Sequence, residues 1–166
     1  MNINLGDTNV FANQVRDLIN KISQNYVTYE KACGEVMGVT TSQAGAILTF
    51  PIKGGLTMNE LSKAVNLEIS TMTRMVDQLV EKGLVQREND AKDRRVVRVA
   101  LTEAGRKLRK KLGEALQSFY SNSLENIQVE KRENIISQLQ QINEAIALGL
   151  DKCCKEYSQS IEEQKG

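Results

Sequence analysis

The sequence predicts a mostly α-helical protein with one small β-hairpin, and three observations carry that expectation. Aromatic residues make up only 4% of the chain and proline occurs once in 166 residues, whereas an all-β sandwich wants more of both, with turn signals roughly every 8–12 residues. Long proline-free stretches rich in Leu, Ile, Glu, Lys and Gln favour helices. Apolar residues recur at spacings of three and four along most of the chain and turn to partial alternation only in two short runs near its middle.

The elements follow from that pattern. Val10, Val15, Leu18, Ile19, Ile22, Tyr26, Val27 and Tyr29 mark an amphipathic helix from Asn9 to about Ala32, and Gly34 and Gly38 loosen its far end. Thr40-Thr41-Ser42-Gln43 reads as a capping box opening a short helix through Ala44, Ile47 and Leu48, closed by Pro51. Lys53-Gly54-Gly55 is a turn. Thr57-Met58-Asn59-Glu60 is a second capping box for a helix that carries Leu61 and Ala64 inward. Val65-Asn66-Leu67 is a tight turn, with Asn66 suited to left-handed backbone angles. The next helix covers Glu68 to Lys82, with Ile69, Met72, Met75, Val76, Leu79 and Val80 on its buried face and Gly83 as its stop. Two short helices that cannot each bury a stripe alone make a helix-turn-helix. Leu84–Glu88 and Val96–Leu101 read as two strands around the polar loop Asn89–Arg95, and a hairpin with a basic tip after a helix-turn-helix is a wing. Thr102-Glu103-Ala104-Gly105 caps a helix striped by Leu108, Leu112, Leu116 and Phe119. After a break near Asn126–Glu130 comes a last helix with Ile135, Leu139, Ile142, Ile146 and Leu150.

This gives an N-terminal dimerisation helix in 1–35, a winged helix-turn-helix in 40–101, C-terminal dimerisation helices in 102–152 and a frayed tail in 157–166. The first and last two helices have apolar faces without an obvious partner inside so small a winged domain, which predicts packing against a second copy.

The net charge of +1 hides an uneven distribution. Residues 1–73 carry five Lys/Arg against six Asp/Glu, residues 74–111 twelve against six, and residues 112–166 five against nine. A basic middle third between acidic flanks suits a protein that meets phosphates with one region and itself with the others. Histidine is absent, so no Ser-His or Cys-His pair can form, and neither a phosphate loop nor a metal cluster is legible. The chain reads as no enzyme, with no cofactor and no metal. There is no apolar run of about 18 residues, which predicts no membrane span. The first residues lack the order of a signal peptide, and the three cysteines do not form a disulfide framework. A cytoplasmic protein is expected.

Leu56-Thr57-Met58-Asn59-Glu60-Leu61, Ser70-Thr71-Met72-Thr73-Arg74-Met75-Val76-Asp77-Gln78-Leu79 and Glu81-Lys82-Gly83-Leu84-Val85 together resemble the MarR family of regulators. Asp93-Arg94-Arg95 and Val99-Ala100-Leu101-Thr102-Glu103-Ala104-Gly105-Arg106 are similar to that family's wing and the helix after it. The motif region spans roughly 50 residues, and the helical order matches over nearly the whole chain. The pattern departs at one place: a Ser or Thr often opens the recognition helix in such proteins, and here Glu68 and Ile69 precede Ser70.

The resemblance implies a homodimeric transcription regulator that binds double-stranded DNA at a palindromic operator, expected as a repressor released by a small-molecule or oxidative signal. Ser70, Thr71, Thr73 and Arg74 fall in the first two turns of the recognition helix, which enter the major groove in helix-turn-helix proteins. Hydroxyls can meet phosphates or base edges there, and arginine can grip guanine in a bidentate pair. Met72, Met75 and Val76 are core. Arg94 and Arg95 suit a narrow minor groove, either one being able to insert, and Asp93 would orient one of them through a charge-assisted bond. Lys92 and Arg98 read as phosphate partners. Arg106, Lys107, Arg109, Lys110 and Lys111 are either further phosphate contacts or a solvated face.

Cys33, Cys153 and Cys154 lie near the far ends of the first and last helices, as a thiol sensor or as small apolar fillers. A small aromatic effector is the other route the family suggests, with Tyr26, Tyr29, Met37 and Phe50 as candidates that core packing explains equally well. The competing reading is a helical protein-interaction module without DNA binding, which a neutral or acidic wing would have favoured.

Overall fold

The computed structural model describes residues 6–90, 93 and 95–163, with side chains from 151 onward described only at Cys153. The elements run α1 (Thr8–Met37), α2 (Thr41–Thr49), β1 (Gly55–Thr57), α3 (Met58–Ala64), α4 (Ile69–Glu81), β2 (Val85–Asn89), β3 (Val97–Leu101), α5 (Glu103–Leu124) and α6 (Val129–Glu163). They form two compact units, Met1–Ser118 and Phe119–Gly166, divided within α5. α1, expected as a separate dimerisation element, falls in the first unit with the winged domain.

In the first unit the capping chemistry sets each helix start. The Asp7 carboxylate accepts the Asn9 and Val10 amides at 2.8 and 3.3 Å and opens α1. This helix continues past Ala32 to Met37, because Gly34 is helical and buried rather than a loose end. The Gly34 carbonyl accepts the Val39 amide at 2.9 Å, and Gly38, at φ 73°, turns the chain out. Thr40 and Gln43 form the reciprocal capping box of α2, each contact 3.2 Å. Thr57 and Glu60 do the same for α3, with the Thr57 amide 2.7 Å from Glu60 Oε2 and the Glu60 amide 3.2 Å from Thr57 Oγ1. Asn66 turns the chain at φ 52°.

α4 buries Met72, Met75, Val76 and Leu79 against Ala46, Ile47, Phe50 and Leu61, with Val85, Val99, Leu101 and Leu112 completing the core. Its apolar stripe is narrower than the sequence suggests. Ile69 and Val80 are exposed, because Ile69 stands in the first turn, beyond the core's edge, and Val80 lies on the flank of the stripe. Phe50, offered above as an effector contact, is fully buried among these core residues.

The sheet has three strands in the order β1-β3-β2, all antiparallel. Val85 opposes Leu101 and Arg87 opposes Val99 in the hairpin. β1, which the sequence hides inside a turn, pairs Gly55 with Ala100 and Thr57 with Arg98. A Cβ at Gly55 would lie 2.6 Å from the Val99 carbonyl oxygen, so glycine permits this close pairing.

Thr102 locks α5 to the base of the hairpin. Its amide donates to the Leu84 carbonyl at 3.1 Å. Its hydroxyl donates to the Gly83 carbonyl at 2.6 Å and accepts the Gly105 amide at 3.1 Å.

In the second unit, Phe119 and Tyr120 meet edge-on with ring centroids 5.4 Å apart. Arg132 Nε donates to the Ile127 carbonyl at 3.1 Å across the turn into α6. α6 is helical through Glu163, beyond Glu156, after which the sequence reading expects fraying. Among the described residues no helix is long and apolar enough to cross a membrane.

Candidate nucleic-acid interface

The exposed face of α4 carries Ser70, Thr71, Thr73 and Arg74, opposite the buried methionines. Glu68 stands at the N-cap, but its side chain makes no capping bond, so amides of the first turn stay open to a phosphate. The Thr73 hydroxyl donates to the Ile69 carbonyl at 2.8 Å, and the residue is exposed. Arg74 is exposed and engages no described residue.

The far end of α4 is pinned. Gln43, buried in α2, donates from Nε2 to Gln78 Oε1 at 3.0 Å, and its own Oε1 accepts Lys82 Nζ at 3.0 Å. Lys82 also donates to the Gly38 carbonyl at 2.7 Å. Asp77 pairs with Arg87 of β2 at 2.5 Å, which ties the wing to α4 and neutralises a carboxylate on the exposed face. None of these partners is apparent from sequence spacing, since each joins residues that only the fold brings together.

At the wing, Asp93 works on the backbone. Its Oδ1 accepts the Arg95 amide at 2.9 Å, and its carbonyl accepts the Val96 amide at 2.9 Å. Its own amide donates to Asp90 Oδ1 at 3.2 Å. Toward Arg95 the Asp93 carboxylate thus bonds the main chain rather than the side chain, because an aspartate two residues back reaches the amide through a short local turn. The Arg95 side chain is exposed and engages no described residue. Lys92 and Arg94 lie outside the described residues.

Arg98, expected as a phosphate partner, is engaged within the protein. Its Nε bonds Asp90, and its Nη1 donates to the Gly55 carbonyl at 3.1 Å and meets Glu60 at 3.5 Å. The strand register sets Arg98 opposite Thr57 of β1, between two carboxylates, a placement that depends on a strand too short to show in the sequence pattern. The bond to Asp90, with smaller help from the nearby carboxylates, raises the Arg98 pKa above its ordinary value. Glu60 is held below its ordinary value, first by the Thr57 amide, then by the Thr57 hydroxyl, with Arg98 adding to both.

Three of the basic residues of α5 behave as a structural or solvated face. Arg106 donates to the Leu101 carbonyl at 2.7 Å, Lys107 pairs with Glu103 at 2.9 Å and Lys110 with Glu114 at 3.7 Å.

Cys33 is half-buried beside Tyr29, at a cavity of about 20 Å³ lined also by Glu30, Leu48, Leu112 and Leu116. That volume holds a single water at most. The Tyr29 hydroxyl donates to the Ala115 carbonyl at 2.7 Å and joins α1 to α5. Burial first, and then the Cys33 side chain, push the Tyr29 pKa up to about 12. In an alkaline titration followed by ultraviolet absorbance, a late tyrosinate phase near pH 12 is expected, and Tyr29→Phe should remove it. Cys153 is exposed on α6, and the Cys154 side chain lies outside the described residues. Among the described residues no group of three or more His, Cys, Asp or Glu is placed to hold a metal ion.

Comparison with known proteins agrees with this geometry. The sequence model of the MarR family matches residues 53–97, from just before β1 to the first residue of β3. A MarR-family transcriptional regulator from Silicibacter pomeroyi is 28% identical, with 75% of this chain and 84% of that one covered at a TM-score of 0.59. The transcriptional regulator BldR from Sulfolobus solfataricus is 27% identical over 81% of this chain and 93% of its own, with a TM-score of 0.62. YusO from Bacillus subtilis shares the fold at a TM-score of 0.66 and 21% identity, covering 81% and 96%. The stretch from β1 through the wing thus matches the MarR family's sequence model, and the chain shares the fold of winged helix-turn-helix proteins of that family.

Proposed function

We propose that the chain acts as a homodimeric, sequence-specific DNA-binding repressor, released by a small-molecule or oxidative signal. The observation that carries the DNA reading is how the arginines of the winged domain are used. Arg87, Arg98 and Arg106 are taken up by carboxylates and carbonyls, while Arg74 on α4 and Arg95 at the wing engage no described residue. Cations left open at the recognition helix and at the wing are what phosphate and base contacts require.

The dimer reading rests on apolar residues that the single chain leaves uncovered. On α1, Leu18 is 59% and Ile22 61% exposed, and on α6, Leu139 is 51% and Ile146 45% exposed. A second copy presenting the same stripes would cover them and set two recognition helices on half-sites about 34–36 Å apart, which matches a palindromic operator. For the signal, Tyr29 joins α1 to α5 with Cys33 beside it within the first unit, so a modified thiol there would act on the contact that Tyr29 makes, whereas the small cavity beside them leaves a small-molecule signal to another site.

The test is selection of genomic fragments by the purified protein, followed by titration of the tightest fragment with wild type and with Arg94→Ala/Arg95→Ala at several salt concentrations. The double variant is expected to bind more weakly and to lower the salt slope by about two, one for each cation removed. If no fragment outcompetes a random duplex, the DNA-binding reading fails and the protein-interaction module takes its place.

A further inference from the structure

A continuous set of polar contacts runs from the helix-turn-helix to the wing. At its start Glu60 Oε2 holds the Thr57 amide and hydroxyl at 2.7 and 2.9 Å, as the acidic member of the α3 capping box. The same oxygen meets Arg98 Nη1 at 3.5 Å, and Arg98 Nε bonds Asp90 Oδ2 at the end of β2. Asp90 Oδ1 accepts the Asp93 amide at 3.2 Å, and Asp93 Oδ1 accepts the Arg95 amide at 2.9 Å. The Glu60 and Asp90 carboxylates thus each face two ways, and Arg98 joins α3 to the wing, with the Gly55 carbonyl of β1 as its third partner. The Asp90 side chain is only 16% exposed, so the central pair is shielded from solvent more than a surface ion pair is.

We infer that Arg98 and Asp90 are positioning residues of the DNA interface: the relay Glu60–Arg98–Asp90–Asp93 sets the backbone of the wing arginine Arg95 relative to the helix-turn-helix, without itself touching DNA. The inference rests on the DNA-binding reading above. Its physical basis is that a two-stranded ribbon twists easily and would leave its tip in many orientations. A tip fixed before binding need not lose that freedom on binding.

Charge gives the inference a sharp test. Asp90 is a carboxylate in a basic wing, so electrostatics alone predicts that removing it tightens DNA binding. A positioning role predicts the reverse. The experiment takes the tightest genomic fragment selected by wild type and titrates it with Asp90→Ala, Arg98→Ala, Arg95→Ala and the two double variants that contain Arg95→Ala. Asp90→Ala is expected to weaken binding by about tenfold, and most of that loss should vanish when Arg95 is already alanine, because the relay acts through it. Tighter or unchanged binding by Asp90→Ala, or losses that simply add to that of Arg95→Ala, would overturn the inference. Thermal unfolding establishes that each variant is folded at the titration temperature. Should an alanine variant not fold, Asp90→Asn keeps the shape, removes the charge and carries the same sign test. Failure of wild type to select any fragment defeats the DNA-binding reading itself, a different result from wild-type binding that Asp90→Ala leaves intact.

Discussion

Gly105→Ala is expected to destabilise the winged domain by about 3 kcal/mol or more, at the severe end of what overpacking a well-filled site costs. The added Cβ would lie 1.9 Å from the Leu84 carbonyl oxygen, 3.0 Å from its carbon and 3.1 Å from Leu101 Cδ2. Relief by a small shift is blocked on both sides. The Leu84 carbonyl accepts the Thr102 amide, and the Thr102 hydroxyl is held by the Gly83 carbonyl and the Gly105 amide. Moving α5 away to make room would break that set of bonds at once and lift Leu112 from the core. Chemical denaturation of the purified variant measures the loss. Gly113→Ala in the same helix is the control: nothing lies within 4 Å of its added Cβ, so the helix preference of alanine should raise stability by up to about 1 kcal/mol. Equal effects at the two positions would show that the contact with Leu84 does not govern the site.

This same junction shows how far the sequence could be read. Thr102 and Gly105 belong to a stretch that resembles the family, but nothing in the string says why glycine stands there. The reason is a carbonyl twenty-one residues away in the chain, brought close by the hairpin. Features whose physics is local were legible. Both capping boxes, the left-handed Asn66 and the stop at Gly83 depend on residues within one turn of each other. The fold class and the buried face of α4 followed from periodicity, although Ile69 and Val80 show that a period cannot locate the edge of a core.

What failed was non-local. β1 is three residues long and too short to show alternation, so it passed for part of a turn. Without β1, Arg98 reads as one more wing cation, and nothing in the sequence brings Glu60 and Asp90 to it. Asp93 reads from sequence as an orienting residue, yet whether a side-chain or a main-chain N–H donates to its carboxylate depends on turn geometry that sequence does not fix. The exposure of Ser70, Thr71, Thr73 and Arg74 is legible because a helical face is a local property: with Met72, Met75 and Val76 in the core, the polar residues around them face out.

Leu139→Asp/Ile146→Asp is expected to convert the protein to a monomer and to lower its affinity for a selected operator fragment by about 10²–10⁴-fold, the range that loss of a second linked binding site produces. Ile135, Leu139, Ile142 and Ile146 recur at spacings of four, three and four, which puts them on one face of α6. About half of the Leu139 side chain is exposed in the single chain, and nearly as much of Ile146. Burying such residues returns roughly 25 cal/mol per Å² of apolar surface, whereas an aspartate there would be a carboxylate desolvated without a partner, at several kcal/mol. Two such changes per protomer appear four times in an isologous interface, because each copy presents the same patch. Sedimentation or light scattering reads the mass, and thermal unfolding of the variant separates loss of assembly from loss of fold. The winged domain keeps Arg74 and Arg95, so binding to a random duplex should persist with its salt dependence while preference for the operator collapses. A variant that remains dimeric would move the seam away from this face of α6 and leave the exposed stripe of α1 to carry it; a monomer that still binds its operator as tightly as wild type would show that recognition does not need two half-sites.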